Sequence, residues 1–83
     1  MNIAFDKTGW EDYTSWAGEP KMLRRINRMI AEALRDPGQG IGKPERLTEN
    51  LSGYWSRRIT DEHRLVYTVR GENLIIVQAR YHY

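Results

Sequence analysis

Three residue types with the means to move a proton or hold a phosphate are spread across the chain: Glu45, Arg64 and His82. RNA carries its own nucleophile in the 2′-hydroxyl. An agent that cuts it therefore needs a base for that proton, a cation for the charge that builds on phosphorus, and an acid for the departing 5′-oxygen. A carboxylate, Arg64 or a neighbouring arginine, and an imidazole are of the right types. Each also has a plainer reading. Glu45, beside Lys43 and Arg46, suits a surface ion pair of little consequence. Arg57, Arg58 and Arg64 suit the blunting of exposed sheet edges. His63, between Glu62 and Arg64, reads as structural, and His82 lies where chains often fray. The tail Arg80-Tyr81-His82-Tyr83 resists that last reading, because it follows an apolar strand with no polar extension. Aromatics interleaved with cations also suit RNA, whose bases stack on rings while its phosphates meet arginine.

The elements that must position these groups are legible in outline. Asn2–Asp6 reads as a strand. Thr8 and Glu11 have the spacing of a capping box, opening a short helix whose apolar face is Trp10, Tyr13 and Trp16 and which Gly18 ends. Pro20 suits the first turn of a second helix. There Met22, Ile26, Met29, Ile30, Ala33 and Leu34 share one face, and Arg24, Arg25, Arg28, Glu32 and Arg35 the other. Asp36-Pro37-Gly38 stops it. Gln39–Gly53 is irregular, with a brief extended segment about Glu45 and Leu47. Three strand-like runs follow, Tyr54–Ile59, His63–Arg70 and Asn73–Tyr81, the last two joined by a tight hairpin and all antiparallel because their links are too short for a crossover. The expected class is α+β in the order β-α-α-(β)-β-β-β, with two N-terminal helices on one face of a twisted antiparallel sheet and residues 1–83 as a single domain. Alternation puts Arg64, Val66 and Thr68 on the open face. It assigns Ile75, Val77, Ala79 and Tyr81 to the core and sends Leu74, Ile76, Gln78, Arg80 and His82 to the open face, where Arg64 and His82 would meet.

Composition narrows the function. Apolar residues at 40% and charged residues at 29% describe a folded chain, and the absence of cysteine removes disulfides and thiolate metal sites and fits a reducing cytosol. Two histidines and scattered carboxylates offer no metal-ligand spacing, so neither metal nor cofactor is expected. Gly38–Lys43 is glycine-rich but follows a helix, which reads as a connector rather than a phosphate loop. No run is long and apolar enough for a membrane helix, and the N-terminus has no signal-peptide pattern. The net charge of +2 is unevenly spread. Residues 1–20 hold one Lys against four acids, net −3, and residues 21–83 hold twelve Lys/Arg against seven acids, net +5. Ten of the thirteen cations are arginine, whose planar fork matches phosphate. The basic segment fits a polyanionic partner or a merely solvated surface.

The run from Asn50 to Tyr67, together with Gly42-Lys43-Pro44-Glu45 and the terminal Arg80-Tyr81-His82-Tyr83, closely resembles the YoeB toxins of the RelE/ParE superfamily, over essentially the whole chain. The resemblance implies a RelE-like fold and a ribosome-dependent mRNA interferase. It also implies a YefM-type (Phd-like) antitoxin, operator DNA bound only through the toxin–antitoxin complex, and scope for a homodimer. It implies Glu45 as general base, His82 as general acid, Arg64 as the phosphate ligand and Tyr83 as the aromatic that orients the nucleotide. Lys43, Arg57 and Arg58 fall where family members contact the RNA backbone. One departure is Thr48, followed by Glu49, where the family has lysine; it weakens the positive field near Glu45. Two other readings stand beside this one. A superfamily scaffold can act by binding a non-RNA target such as DNA gyrase, for which acid–base groups are not needed, and a basic surface alone would serve a DNA-binding module.

Overall fold

The computed structural model describes residues 1–81. The elements run β1 (Asn2–Phe5), α1 (Lys7–Thr14), α2 (Pro20–Arg35), β2 (Glu45–Arg46), a single 3-10 turn (Glu49–Leu51), β3 (Tyr54–Arg58), β4 (Arg64–Arg70) and β5 (Asn73–Gln78). The sheet order is β1-β5-β4-β3-β2. β2 to β5 pair antiparallel, as their short links require. The sheet as a whole is mixed rather than antiparallel, because β1 pairs parallel to β5. Both sides of β4 are already taken, so the N-terminal strand joins the free edge of β5, where the Asn2 and Asp6 amides donate to the Glu72 and Ile76 carbonyls.

α2 forms where the apolar spacing predicts. Its Ile26, Met29, Ile30 and Ala33 are buried, with Met22 and Leu34 packed against the same core as Leu65, Tyr67, Leu74 and Ile76. α1 begins one residue before the expected capping box. Its N-cap is Asp6, whose Oδ1 accepts the Gly9 amide at 2.7 Å, and Thr8 sits inside the first turn. It ends at Thr14, so Trp16 reaches the core from the turn beyond the helix and Gly18 does not close it. Gly9 lets α1 lie against β5, since a Cβ there would come 2.0 Å from the Ile76 carbonyl oxygen.

The faces of β5 are the reverse of the expectation. Leu74 and Ile76 are fully buried beneath the helices, while Ile75 and Val77 are partly exposed. Register decides this. Ile76 lies opposite Tyr67 and Leu74 opposite Val69, on the side of the sheet the helices cover, and an irregularity at Val66/Tyr67 shifts the pairing beyond. β5 also stops at Gln78, three residues short of the expected Tyr81. Ala79, though outside the strand, is buried as expected, with its amide bonded to Asp12 of α1 and its carbonyl to Trp16.

Candidate active site

Alternation along paired strands gathers the charged groups on the face opposite the helices. Glu45 lies across from Ser56, Ser56 from Val66, and Arg58 from Arg64. With Leu65 and Tyr67 pointing to the core, this register sends Glu45, Ser56, Arg58 and Arg64 to the other side. Those four and Lys43 line a shallow pocket of about 70 Å³. Ser56, only 2% exposed, is its floor. Glu45 and Lys43 are exposed, and among the described residues Glu45 forms no ion pair with the cations around it. Its carboxylate stands among three cationic side chains without being tied to any of them.

The segments carrying Lys43, Arg58 and Arg64 are each held by further hydrogen bonds. The loop carrying Lys43 is stitched to β3 by the Arg58 amide donating to the Gly42 carbonyl at 2.6 Å. Gly42 has φ +86°, and a Cβ there would crowd Met29, Arg57 and the Arg58 carbonyl, so only glycine fits. Lys43 itself is left-handed at φ 50°. The end of β3 is capped from α2, where Arg25 donates to the carbonyls of Ile59 at 2.7 Å and Arg58 at 3.0 Å. Sequence periodicity placed Arg25 on the solvent face of α2; its reach back to the sheet is a tertiary fact. Among the described residues the Arg58 side chain has an exposed ion-pair contact with Asp61 at 3.9 Å. Arg64 directs Nη1 to the carbonyls of Thr60, Asp61 and His63, which fixes its guanidinium against the β3–β4 loop.

Arg57 does not belong to this face. It is fully buried, donating to the Tyr67 hydroxyl and to the carbonyls of Ile41, Asp36, Pro37 and Gln39. The expectation that it contacts an RNA backbone is therefore corrected. Its alternation with Ser56 and Arg58 points it inward, and its donors fasten the Asp36–Ile41 loop. Tyr67 completes the arrangement by donating to the Pro37 carbonyl, and burial raises its phenol pKa, with Arg57 acting in the opposite direction. Glu32 ties down the same loop by accepting the Ile41 amide at 2.8 Å and the Arg28 guanidinium at 2.9 Å. These bonds, the Ile41 amide first, hold its carboxyl below the ordinary range.

The chain returns to the site after β5. The Ala79 amide donates to Asp12 at 3.0 Å, and the buried Trp16 indole donates to the Ala79 carbonyl at 2.8 Å. Arg80 stacks 3.9 Å over the Trp16 ring and donates to Ser15. At Tyr81 the amide donates to His63 Nδ1 at 2.8 Å, and the carbonyl accepts the Arg64 amide at 3.1 Å. His63 is thus structural, as its sequence setting suggested, and Asp12 and Trp16 are tail anchors that no sequence motif announced. His82 and Tyr83 lie outside the described residues. Among the described residues no group of three or more His, Asp or Glu could hold a metal, and no helix is long and apolar enough to cross a membrane.

Two helices on a mixed five-stranded sheet, with a cation-ringed carboxylate on the uncovered face, define a small α+β protein of the RelE-like toxin fold. The YoeB/ParE toxin from Agrobacterium tumefaciens superposes with a TM-score of 0.95 at 44% identity, all of both chains being covered. The YoeB-YefM complex from Staphylococcus aureus matches with a TM-score of 0.90 at 45% identity, over 100% of this chain and 98% of that one. Toxin YoeB of Streptomyces coelicolor is 60% identical over the full length of both chains. The family model for the YoeB-like toxin of bacterial type II toxin-antitoxin systems matches residues 5–83. The chain belongs to that family and is a type II toxin.

Proposed function

We propose that this toxin is a ribosome-dependent mRNA endoribonuclease that cuts message in the A site by attack of the RNA's own 2′-hydroxyl, without a metal. The observation that carries the reading is the pocket itself, where the Glu45 carboxylate, without an ion pair among the described residues, shares the lining with Lys43, Arg58 and Arg64. In this reading Glu45 takes the 2′-hydroxyl proton and the 2′-oxygen attacks phosphorus. Arg64 holds the charge on the equatorial oxygens. The 5′-oxygen leaves with a proton from His82, giving a 2′,3′-cyclic phosphate and a 5′-hydroxyl. Arg64 is prepared for this. Nη1 is held by loop carbonyls, while among the described residues nothing takes Nε or Nη2, so a phosphate meets a guanidinium already oriented. Lys43 and Arg58 supply backbone contacts, and Tyr83 stacks on the scissile nucleotide. His82 and Tyr83 follow directly on Tyr81, whose carbonyl is bonded to the Arg64 amide.

The partner is a YefM-type antitoxin, as in the Staphylococcus aureus complex, with operator DNA engaged only through the pair; a relative from that organism also forms a dimer. The ribosome as substrate carrier puts the toxin in the cytoplasm. The test is to incubate the purified toxin with programmed ribosomes and map the new RNA ends. Cleavage confined to ribosome-bound message, leaving cyclic phosphate ends, is expected. Fragments with free 3′-hydroxyls, or equal cutting of naked RNA, would overturn the proposal. Intact message on programmed ribosomes would favour a target other than RNA.

A further inference from the structure

β5 ends at Gln78, so the last described residues have no strand ladder to hold them. Side chains and the Arg64 backbone amide hold them instead, and the acceptor for the Tyr81 amide is His63. Its Nδ1 accepts the Tyr81 amide at 2.8 Å, and an accepting Nδ1 carries no proton, which places the ring hydrogen on Nε2. The ring stands edge-on to buried Trp16 with centroids 5.0 Å apart and lies 5.0 Å from the Tyr81 ring. Its amide is held by the Thr60 hydroxyl at 3.2 Å, and its carbonyl accepts Arg64 Nη1 at 3.1 Å. Tyr81 sits at φ 60°, a left-handed conformation that a non-glycine residue keeps only when its surroundings over-determine it. Those surroundings are the His63 acceptor on its amide and, on its carbonyl, the Arg64 amide and the Gln78 side chain at 2.9 Å.

We propose that His63 is a positioning residue. By accepting the Tyr81 amide, it fixes the backbone of Tyr81, the residue before His82 in the sequence, beside Arg64. One residue then ties both ends of the reacting geometry, the loop that orients the phosphate ligand and the backbone that leads to the acid. The proposal rests on the nuclease reading above and deepens it. His63 touches no reacting atom; it acts through Tyr81.

The acceptor can be separated from the ring. Asparagine puts Oδ1 on Cγ where histidine has Nδ1, keeping an acceptor without the ring, whereas leucine keeps comparable bulk without an acceptor. On programmed ribosomes under single-turnover conditions, His63→Leu should lower the saturating cleavage rate by about 10²-fold, the usual cost of a displacement of about 1 Å in reacting geometry. The ribosome concentration giving half the maximal rate should be unchanged, and His63→Asn should recover most of the loss. Hydrogen exchange at the Tyr81 amide of the free toxin should be faster in His63→Leu than in wild type or His63→Asn, whatever the activity. Wild type and His82→Gln run alongside. A wild type that leaves ribosome-bound message intact sinks the nuclease reading and this role with it. With wild type active, the positioning role alone is overturned if His63→Leu cuts at full rate, if both variants fail equally, or if Tyr81 exchange is unaltered.

Discussion

The amide of Arg64 donates to the carbonyl of Tyr81 at 3.1 Å, joining the first residue of β4 to the segment beyond β5. The proposed phosphate ligand and the approach to the terminal acid are thus joined by a backbone bond that does not use the Arg64 side chain. Substitution of the Arg64 side chain leaves that coupling in place, so its chemical role can be tested without releasing the tail.

Glu45→Gln should abolish cleavage while sparing the fold. Glu45 is exposed and makes no ion pair among the described residues, so stability should stay within about 0.5 kcal/mol of wild type. Loss of a general base should slow single-turnover cleavage by roughly 10²–10⁴-fold. A folded Glu45→Gln toxin that cuts at the wild-type rate would remove Glu45 from the mechanism.

Arg57 and Arg58 are neighbours with opposite fates. Arg57→Met should cost on the order of 3 kcal/mol or more in urea unfolding, because it strips donors from four loop carbonyls and from Tyr67 in a buried setting. Arg58→Met loses, among the described residues, an exposed contact with Asp61 and should cost less than about 1 kcal/mol. Equal losses for the two would contradict the assignment of Arg57 to the loop.

The start of α1 offers a paired test. Asp6→Ala removes the side chain that accepts the Gly9 amide and should destabilise the protein by about 1 kcal/mol. Thr8→Ala, inside the first turn and without a capping bond, should be neutral or slightly stabilising. Thermal unfolding of the two variants distinguishes Asp6 from Thr8 as the cap; a larger loss for Thr8→Ala would reverse the assignment.

Burial lifts the Tyr67 phenol above its ordinary value of 10.0. The unfolded chain then ionises this group before the folded one does. The contribution is therefore fully present below about pH 10 and is lost as pH rises through the folded-state value. Unfolding free energy should fall more steeply above pH 10 in wild type than in Tyr67→Phe, even though the variant starts lower for want of its bonds to Arg57 and Pro37. Parallel alkaline slopes would show that Tyr67 is not the group responsible.

Much was legible before any tertiary contact was known. The 3.6-residue repeat from Met22 to Leu34 predicts α2 and its buried face, and Pro20 and Asp36-Pro37 mark its ends, because helix periodicity and proline geometry are local. The short links after Gly53 likewise require antiparallel pairing. The residue types at 45, 64 and 82, with the family's motifs around them, named the candidate chemistry. The faces of β5 were not legible, because Leu74-Ile75-Ile76-Val77 is apolar throughout and carries no alternation to read. Only its register opposite Tyr67 assigns Ile76 to the core. The parallel partnership of β1 was hidden for a similar reason: strand order depends on which edge is left free. Arg57, Arg58 and Arg64 are the same residue type in one stretch of sequence. Burial and hydrogen-bond partners, which arise between segments distant along the chain, turn Arg57 into a loop anchor and leave Arg58 and Arg64 lining the pocket with Glu45.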